Sequence, residues 1–159
     1  MQIRVGSFLE QNPVFQVSRV ARRSEALLNS VFRSEGLSFL ESLVLAAIFF
    51  EKKGTAQPSS LAEAFQMTRG NISHCISSLE AKGLVQRRID PNDARAIQLS
   101  LLPLGRRRAA RVAGILDRVQ KYFEAAMGAA QHRAALDHLH AIEDICGRLA
   151  DSTARQRSG

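Results

Sequence analysis

Cysteine is scarce in this chain, with only Cys75 and Cys146 among 159 residues. A disulfide scaffold is therefore excluded, and two free thiols are the expectation. Long apolar runs are missing too. The longest mostly apolar stretch, Leu37 to Phe50, has 14 residues and contains Glu41. A bilayer span needs about 20, so no transmembrane helix is expected. The opening Met1-Gln2-Ile3-Arg4 lacks the apolar core of a secretory signal, which points to a cytoplasmic location. Enzyme signatures are also absent. There is no phosphate-binding glycine loop and no nucleophile elbow. His74 and Cys75 are adjacent on a helical stretch, so their side chains diverge and form no nucleophile–base pair. His132, His138 and His140 do not share one helical face, so neither a metal nor another cofactor is expected.

Acidic residues are in the minority. Fifteen Asp and Glu stand against 22 Lys and Arg, for a net charge of +7. The excess is concentrated between Arg69 and Arg111, where nine basic residues meet three acids. Such a concentration suggests a polyanionic partner, nucleic acid first and a membrane surface second.

The hydrophobic periodicity is mainly helical. Asn12-Pro13 reads as an N-cap followed by a first-turn proline, with apolar or small residues at Val17, Val20, Ser24, Leu27 and Val31 and a stop at Gly36. Ser38 with Glu41 forms a capping box for a second, mostly apolar helix running to Gly54. A short helix over Ser60 to Phe65 opens with Ser60 and Glu63. Thr68 caps another helix, which runs to Lys82, stops at Gly83 and turns Ile72, Ile76 and Leu79 inward. Leu84 to Ile89 and Ala96 to Leu101 read as two strands joined through the turn residues Asp90-Pro91-Asn92-Asp93. Two further helices follow, with apolar seams at Val112, Leu116, Val119 and Phe123, and at Leu139, Ile142, Cys146 and Leu149.

A short helix, a tight turn, a longer helix and a β-hairpin make a winged helix-turn-helix. The fold class is mainly α with a small β-hairpin wing. In that geometry Ser60, Thr68, Arg69, Gly70, Asn71, Ser73, His74 and Ser77 form a polar or small outward face able to meet phosphates or base edges. Arg69 and Asn71 are the base-reading candidates. Arg87 and Arg88 are candidate phosphate contacts, whereas Arg106 to Arg111 fits either DNA contact or a solvated helix face. An ordinary solvated face is the competing reading for the outward residues as well.

Four blocks carry a family resemblance: Ser60-Leu61-Ala62-Glu63, Gly83-Leu84-Val85-Gln86-Arg87-Arg88, Asp90-Pro91-Asn92-Asp93-Ala94-Arg95 and Leu101-x-Pro103-x-Gly105-Arg106. In order and spacing they resemble the MarR family of bacterial transcription regulators, from about Leu37 to Arg106. The resemblance implies that Arg95 enters a minor groove while Asp93 orients it. It also implies a homodimer formed through the terminal helices (1–36 and 104–150) around the winged domain (37–103), while the polar composition of 151–159 points to a flexible tail. Double-stranded DNA, a second copy of the chain and, in some members, a small-molecule effector are the implied partners. Repression at a pseudo-palindromic operator is the implied activity. A protein-interaction module without DNA binding is the alternative. Phe15, Arg19, Phe39, Phe49 and Phe50 are candidates to line an effector cleft, though aromatic residues at helical spacing also suit core packing. The chain departs from the family pattern twice. Gln66 stands where a glycine usually ends the first motif helix, and Leu102 stands where a threonine usually caps the helix after the wing.

Overall fold

A computed structural model describes residues 5–90 and 93–157, and the side chains of Val5, Ala94, Arg95, Ala154 and Arg157 lie outside that description. The chain divides into two compact units, one ending at Ala113 and the other beginning at Gly114.

The first unit starts with a helix that sequence reasoning did not anticipate, α1 (Val5–Gln11), and continues into α2 (Pro13–Arg33). The Asn12 side chain accepts a hydrogen bond from the Phe15 N–H at 3.0 Å, as an N-cap should. Helix α3 (Phe39–Phe50) opens on the full capping box of Ser38 and Glu41. It ends four residues before the expected stop at Gly54, because Glu51 is extended and Gly54 closes a turn onto the Glu51 carbonyl. A two-residue strand, β1 (Thr55–Ala56), follows. Helix α4 (Pro58–Ala64) begins two residues ahead of the expected Ser60 start. Pro58 sets φ at the first helical position, and its missing N–H costs nothing there. Gln57 makes no side-chain cap bond.

The turn out of α4 keeps its non-glycine residue. Gln66 sits at φ 52°, while Gln66 N–H bonds the Glu63 carbonyl and Met67 N–H the Ala62 carbonyl. This is a helix C-cap with Gln in the left-handed position glycine usually takes. Helix α5 (Arg69–Ala81) then starts on Thr68, whose hydroxyl accepts from the Asn71 N–H at 3.1 Å. It closes the same way at Gly83, φ +67°, with Leu84 N–H bonded to the Leu79 carbonyl.

Strands β2 (Val85–Asp90) and β3 (Asp93–Leu101) pair antiparallel, and β1 joins the other side of β3, giving the order β1-β3-β2. The pairing register runs from Val85↔Leu101 to Ile89↔Ile97 and shifts at Asp90. On one sheet face Val85, Leu99 and Leu101 are buried, but the alternation fails toward the tip, where Ile97 is 45% and Ile89 69% exposed. The core of this unit is built from Phe32, Leu45, Ile48, Ile72, Ile76, Leu79, Leu99 and Val112. Each such side chain is worth roughly 1.5–3 kcal/mol of burial. Helix α6 (Pro103–Met127) begins at the proline after Leu102, one residue before the expected boundary. Its first turns belong to the first unit, Ala109 and Val112 being fully buried.

In the second unit, the rest of α6 leads through Gly128 into α7 (Ala129–Arg157). Helix α7 continues past Ala150 into the segment expected to be a tail. The hydroxyls of Ser152 and Thr153 bond back to the Leu149 carbonyl, which lets both residues remain helical. No described residue from Gly114 onward is buried. No helix among the described residues is long and apolar enough to cross a membrane.

Candidate nucleic-acid interface

Helix α5 separates two faces cleanly. Ile72, Cys75, Ile76 and Leu79 are buried, while Thr68, Arg69, Gly70, Asn71, Ser73, His74 and Ser77 are all exposed. The helical period dictates this, because the polar residues occupy the positions between the apolar i, i+3, i+4, i+7 set. Ser60 is exposed in the first turn of α4. A cleft of about 540 Å³ lies against the same face, lined by Pro58, Arg69, Ser73, Arg87 and Ile97 among others.

Arg87 and Arg88, both candidate phosphate contacts by sequence, are separated by the structure. Strand alternation sends Arg88 to the opposite sheet face, where it stands exposed across from Gln98. Arg87 folds back onto α5. Its guanidinium lies 2.7 Å from Glu80 Oε2 and donates to Ser77 Oγ and the Ser73 carbonyl, while its backbone N–H donates to Glu80 Oε1. The Arg106–Arg111 cluster splits as well. Arg111 donates to Glu35 Oε2 at 2.9 Å, and Arg108 donates to the Glu35 carbonyl, so both are held to the turn after α2. Arg106 and Arg107 remain exposed. At the wing tip Asp93 is exposed, whereas Pro91, Asn92 and the Arg95 side chain lie outside the described residues.

Beneath the polar face of α5 sits a buried carboxylate that sequence reasoning used only as a cap. Glu41 is 5% exposed and accepts from Ser78 Oγ and from Lys82 Nζ, each at 2.7 Å, while its Oε2 also takes the Ser38 N–H. Burial pushes the Glu41 carboxyl up, but the bonds from Lys82, Ser78 and Ser38 outweigh it and leave it below its ordinary value. Lys82 also donates to the Gly36 carbonyl. Asn29, unremarked in the sequence, accepts the Phe39 N–H at 2.8 Å and so ties α2 to the start of α3. An acid inside an otherwise apolar helix was the one visible signal for Glu41. Asn29 offered none.

The effector candidates are not gathered around this cleft. Phe39 stacks on buried Phe32, with ring centroids 6.3 Å apart, and Phe49 meets Phe50 edge to face. Phe15 and Arg19 lie on α2. Cys75 is buried, and that burial, with the nearby Glu41 charge, pushes its thiol up to about 12. A thiol reagent added to folded protein is therefore expected to leave Cys75 unmodified until denaturant is added. Mass spectrometry of a Cys146→Ser variant checks this, and prompt labelling would show that the α5 core opens. Among the described residues no His, Cys, Asp and Glu side chains group to hold a metal.

A short helix, a left-handed turn, a solvent-facing polar helix and a basic antiparallel hairpin define a winged helix-turn-helix protein. A model of the MarR family matches residues 50–97. The HTH-type transcriptional regulator YxaD of Bacillus subtilis (strain 168) is 31% identical over 100 residues, which span 60% of this chain and 68% of that protein. The chain belongs to the MarR family of transcription regulators, which act by binding DNA and are not enzymes. Solved structures share the fold. The S. aureus MepR–DNA complex superposes with a TM-score of 0.77 at 14% identity, over 85% of this chain and 98% of that one. The PcaV regulator of Streptomyces coelicolor, in complex with its natural ligand, gives 0.73 at 24% identity, over 86% and 94%.

Proposed function

We propose that this regulator works in the cytoplasm as a homodimeric repressor that straddles duplex DNA, with α5 in the major groove and the wing at the adjacent minor groove. The observation that carries the reading is the unbroken exposed polar face of α5, Thr68 through Ser77, beside a basic hairpin. Arg69 and Asn71 are the base readers. Thr68, Gly70, Ser73, His74, Ser77, Ser60 and Arg88 meet the backbone, and Arg95, oriented by Asp93, enters the minor groove, whose narrow form concentrates negative potential. MepR, of like fold, is known in complex with DNA.

Exposed apolar residues support the dimer. Val14, Val20 and Leu27 on α2 are each more than half exposed, and Tyr122, Leu139 and Leu149 are at least half exposed in the second unit. Faces of this kind ask for cover, and a second copy through the terminal helices supplies it. A two-fold dimer reads a pseudo-palindrome with half-sites about one helical turn apart. A small-molecule effector met by Phe15, Arg19, Phe39 and Phe49 completes the reading, supported by the ligand that PcaV binds.

Selection of bound sequences from random duplexes tests the proposal directly and returns the half-site and its spacing. On the selected duplex, affinity is expected to fall about 10³–10⁵-fold between 50 and 200 mM salt if ~6–10 phosphates are contacted. A flat response would favour a protein-interaction role instead. Arg95→Ala is expected to weaken specific binding by ~1–3 kcal/mol while leaving the sedimentation behaviour unchanged. Equal affinity in fluorescence anisotropy would remove Arg95 from the interface.

A further inference from the structure

We propose that Arg87 is a positioning residue rather than a phosphate ligand, and that Glu80 and Arg87 together set the angle of the wing against the recognition helix. The carboxylate of Glu80 takes two donors from one residue, the Arg87 backbone N–H at 3.2 Å and its Nη1 at 2.7 Å. The other terminal nitrogen, Nη2, donates to Ser77 Oγ at 3.2 Å and the Ser73 carbonyl at 3.4 Å. The guanidinium is therefore spread along the α5 surface, one terminal nitrogen on the carboxylate and the other on Ser77 and Ser73.

The place of this clamp in the sheet gives it its effect. Strand β2 has β3 on one side only, and Glu80 occupies a backbone donor that β3 leaves over. Arg87 pairs with Leu99, which is fully buried. At the next pair toward the tip on the same face, Ile89 and Ile97 are already exposed. The apolar core thus ends at the level of Arg87, and among the described residues beyond that level no buried apolar side chain holds the hairpin to α5. A change in wing angle at this point is carried out along the hairpin to Asp93. Turning Arg87 toward a phosphate would strip Glu80 of its partner and leave a carboxylate facing DNA, which is repulsive.

The inference rests on the duplex-binding reading, and it makes Glu80 the decisive residue because the two roles for Arg87 predict opposite signs there. If Arg87 positions the wing, Glu80→Gln weakens binding to the selected duplex about 10-fold, as does Arg87→Gln. The slope of log affinity against log salt stays at the wild-type value in both. The charge-reversed pair Glu80→Arg with Arg87→Glu, which keeps net charge constant, recovers most of the affinity. If Arg87 contacts phosphate, Glu80→Gln frees a cation and binding is unchanged or tighter, Arg87→Gln lowers the slope by about 0.9, and the reversed pair stays weak. Any of those three results overturns the proposal. Should the reversed pair fail to fold by circular dichroism, the sign of the Glu80→Gln effect decides alone. Wild type and Arg69→Ala separate the two levels. Salt-dependent wild-type binding that Arg69→Ala weakens upholds the duplex reading whatever Glu80→Gln does, and wild type that binds no duplex brings down both.

Discussion

Replacing Gly105 by alanine is expected to destabilise the first unit by about 3 kcal/mol, at or beyond the upper end of ordinary overpacking. A Cβ built at Gly105 lies 1.8 Å from the Leu84 carbonyl oxygen and 2.7 Å from its carbon. The obstacle is backbone, so no side-chain rotamer relieves it. Nor can the two segments simply move apart, because the same Leu84 oxygen accepts the Leu102 N–H at 3.0 Å and anchors the start of α6 beside the first residue of β2. The glycine is required by this close approach rather than by its own torsions. Gly114→Ala in the same helix is the internal control. Its Cβ meets only the flexible end of Arg118, at 3.7 Å, so the variant is expected to gain up to about 1 kcal/mol from helix propensity. Urea denaturation of the two variants checks both expectations. Similar midpoints would mean that the first turn of α6 does not pack on Leu84.

Lys82→Met is expected to cost about 3 kcal/mol at neutral pH, because it leaves a buried carboxylate without its countercharge. The pH dependence identifies the cause. In the wild-type chain the folded Glu41 carboxyl sits below its ordinary value of 4.5. Its contribution is therefore fully present above that value and is lost as pH falls through the folded pKa. Without Lys82, the largest single influence left is burial, which acts upward. In the variant the stability deficit should accordingly shrink on acidification, because the stranded carboxylate takes up a proton at a higher pH than in the wild type. A deficit independent of pH would mean that the cost is lost packing alone. Lys82 Nζ also bonds the Gly36 carbonyl, so the same substitution removes a tie between the carboxyl end of α5 and the turn before α3, while the backbone cap at residue 82 is kept.

The residues that sequence reasoning located best are those whose structure depends on near neighbours. Asn12, Ser38 and Thr68 cap the helices they were expected to cap, because each side chain reaches an N–H three residues on. Gln66 adopts the left-handed turn that the motif demands in place of glycine. Cys75 is buried beside Ile72 and Ile76, as helical periodicity implied. The weakest readings concerned elements too short or too polar to show a period. Strand β1 is two residues long, and α1 carries Gly6 and Ser7, both poor helix formers.

From the linear chain alone came the winged helix-turn-helix and the polar face of its second motif helix, since both rest on local periodicity, capping and turn chemistry, while the family showed only as a resemblance of four sequence blocks. Tertiary structure alone decided which charges stay within the protein. Arg87 reaches Glu80 across the hairpin–helix junction, Arg108 and Arg111 reach Glu35, and Lys82 reaches Glu41. A cation's type is written in the sequence, but its partner is set by which distant backbone the fold brings within about 3 Å, the length of a hydrogen bond.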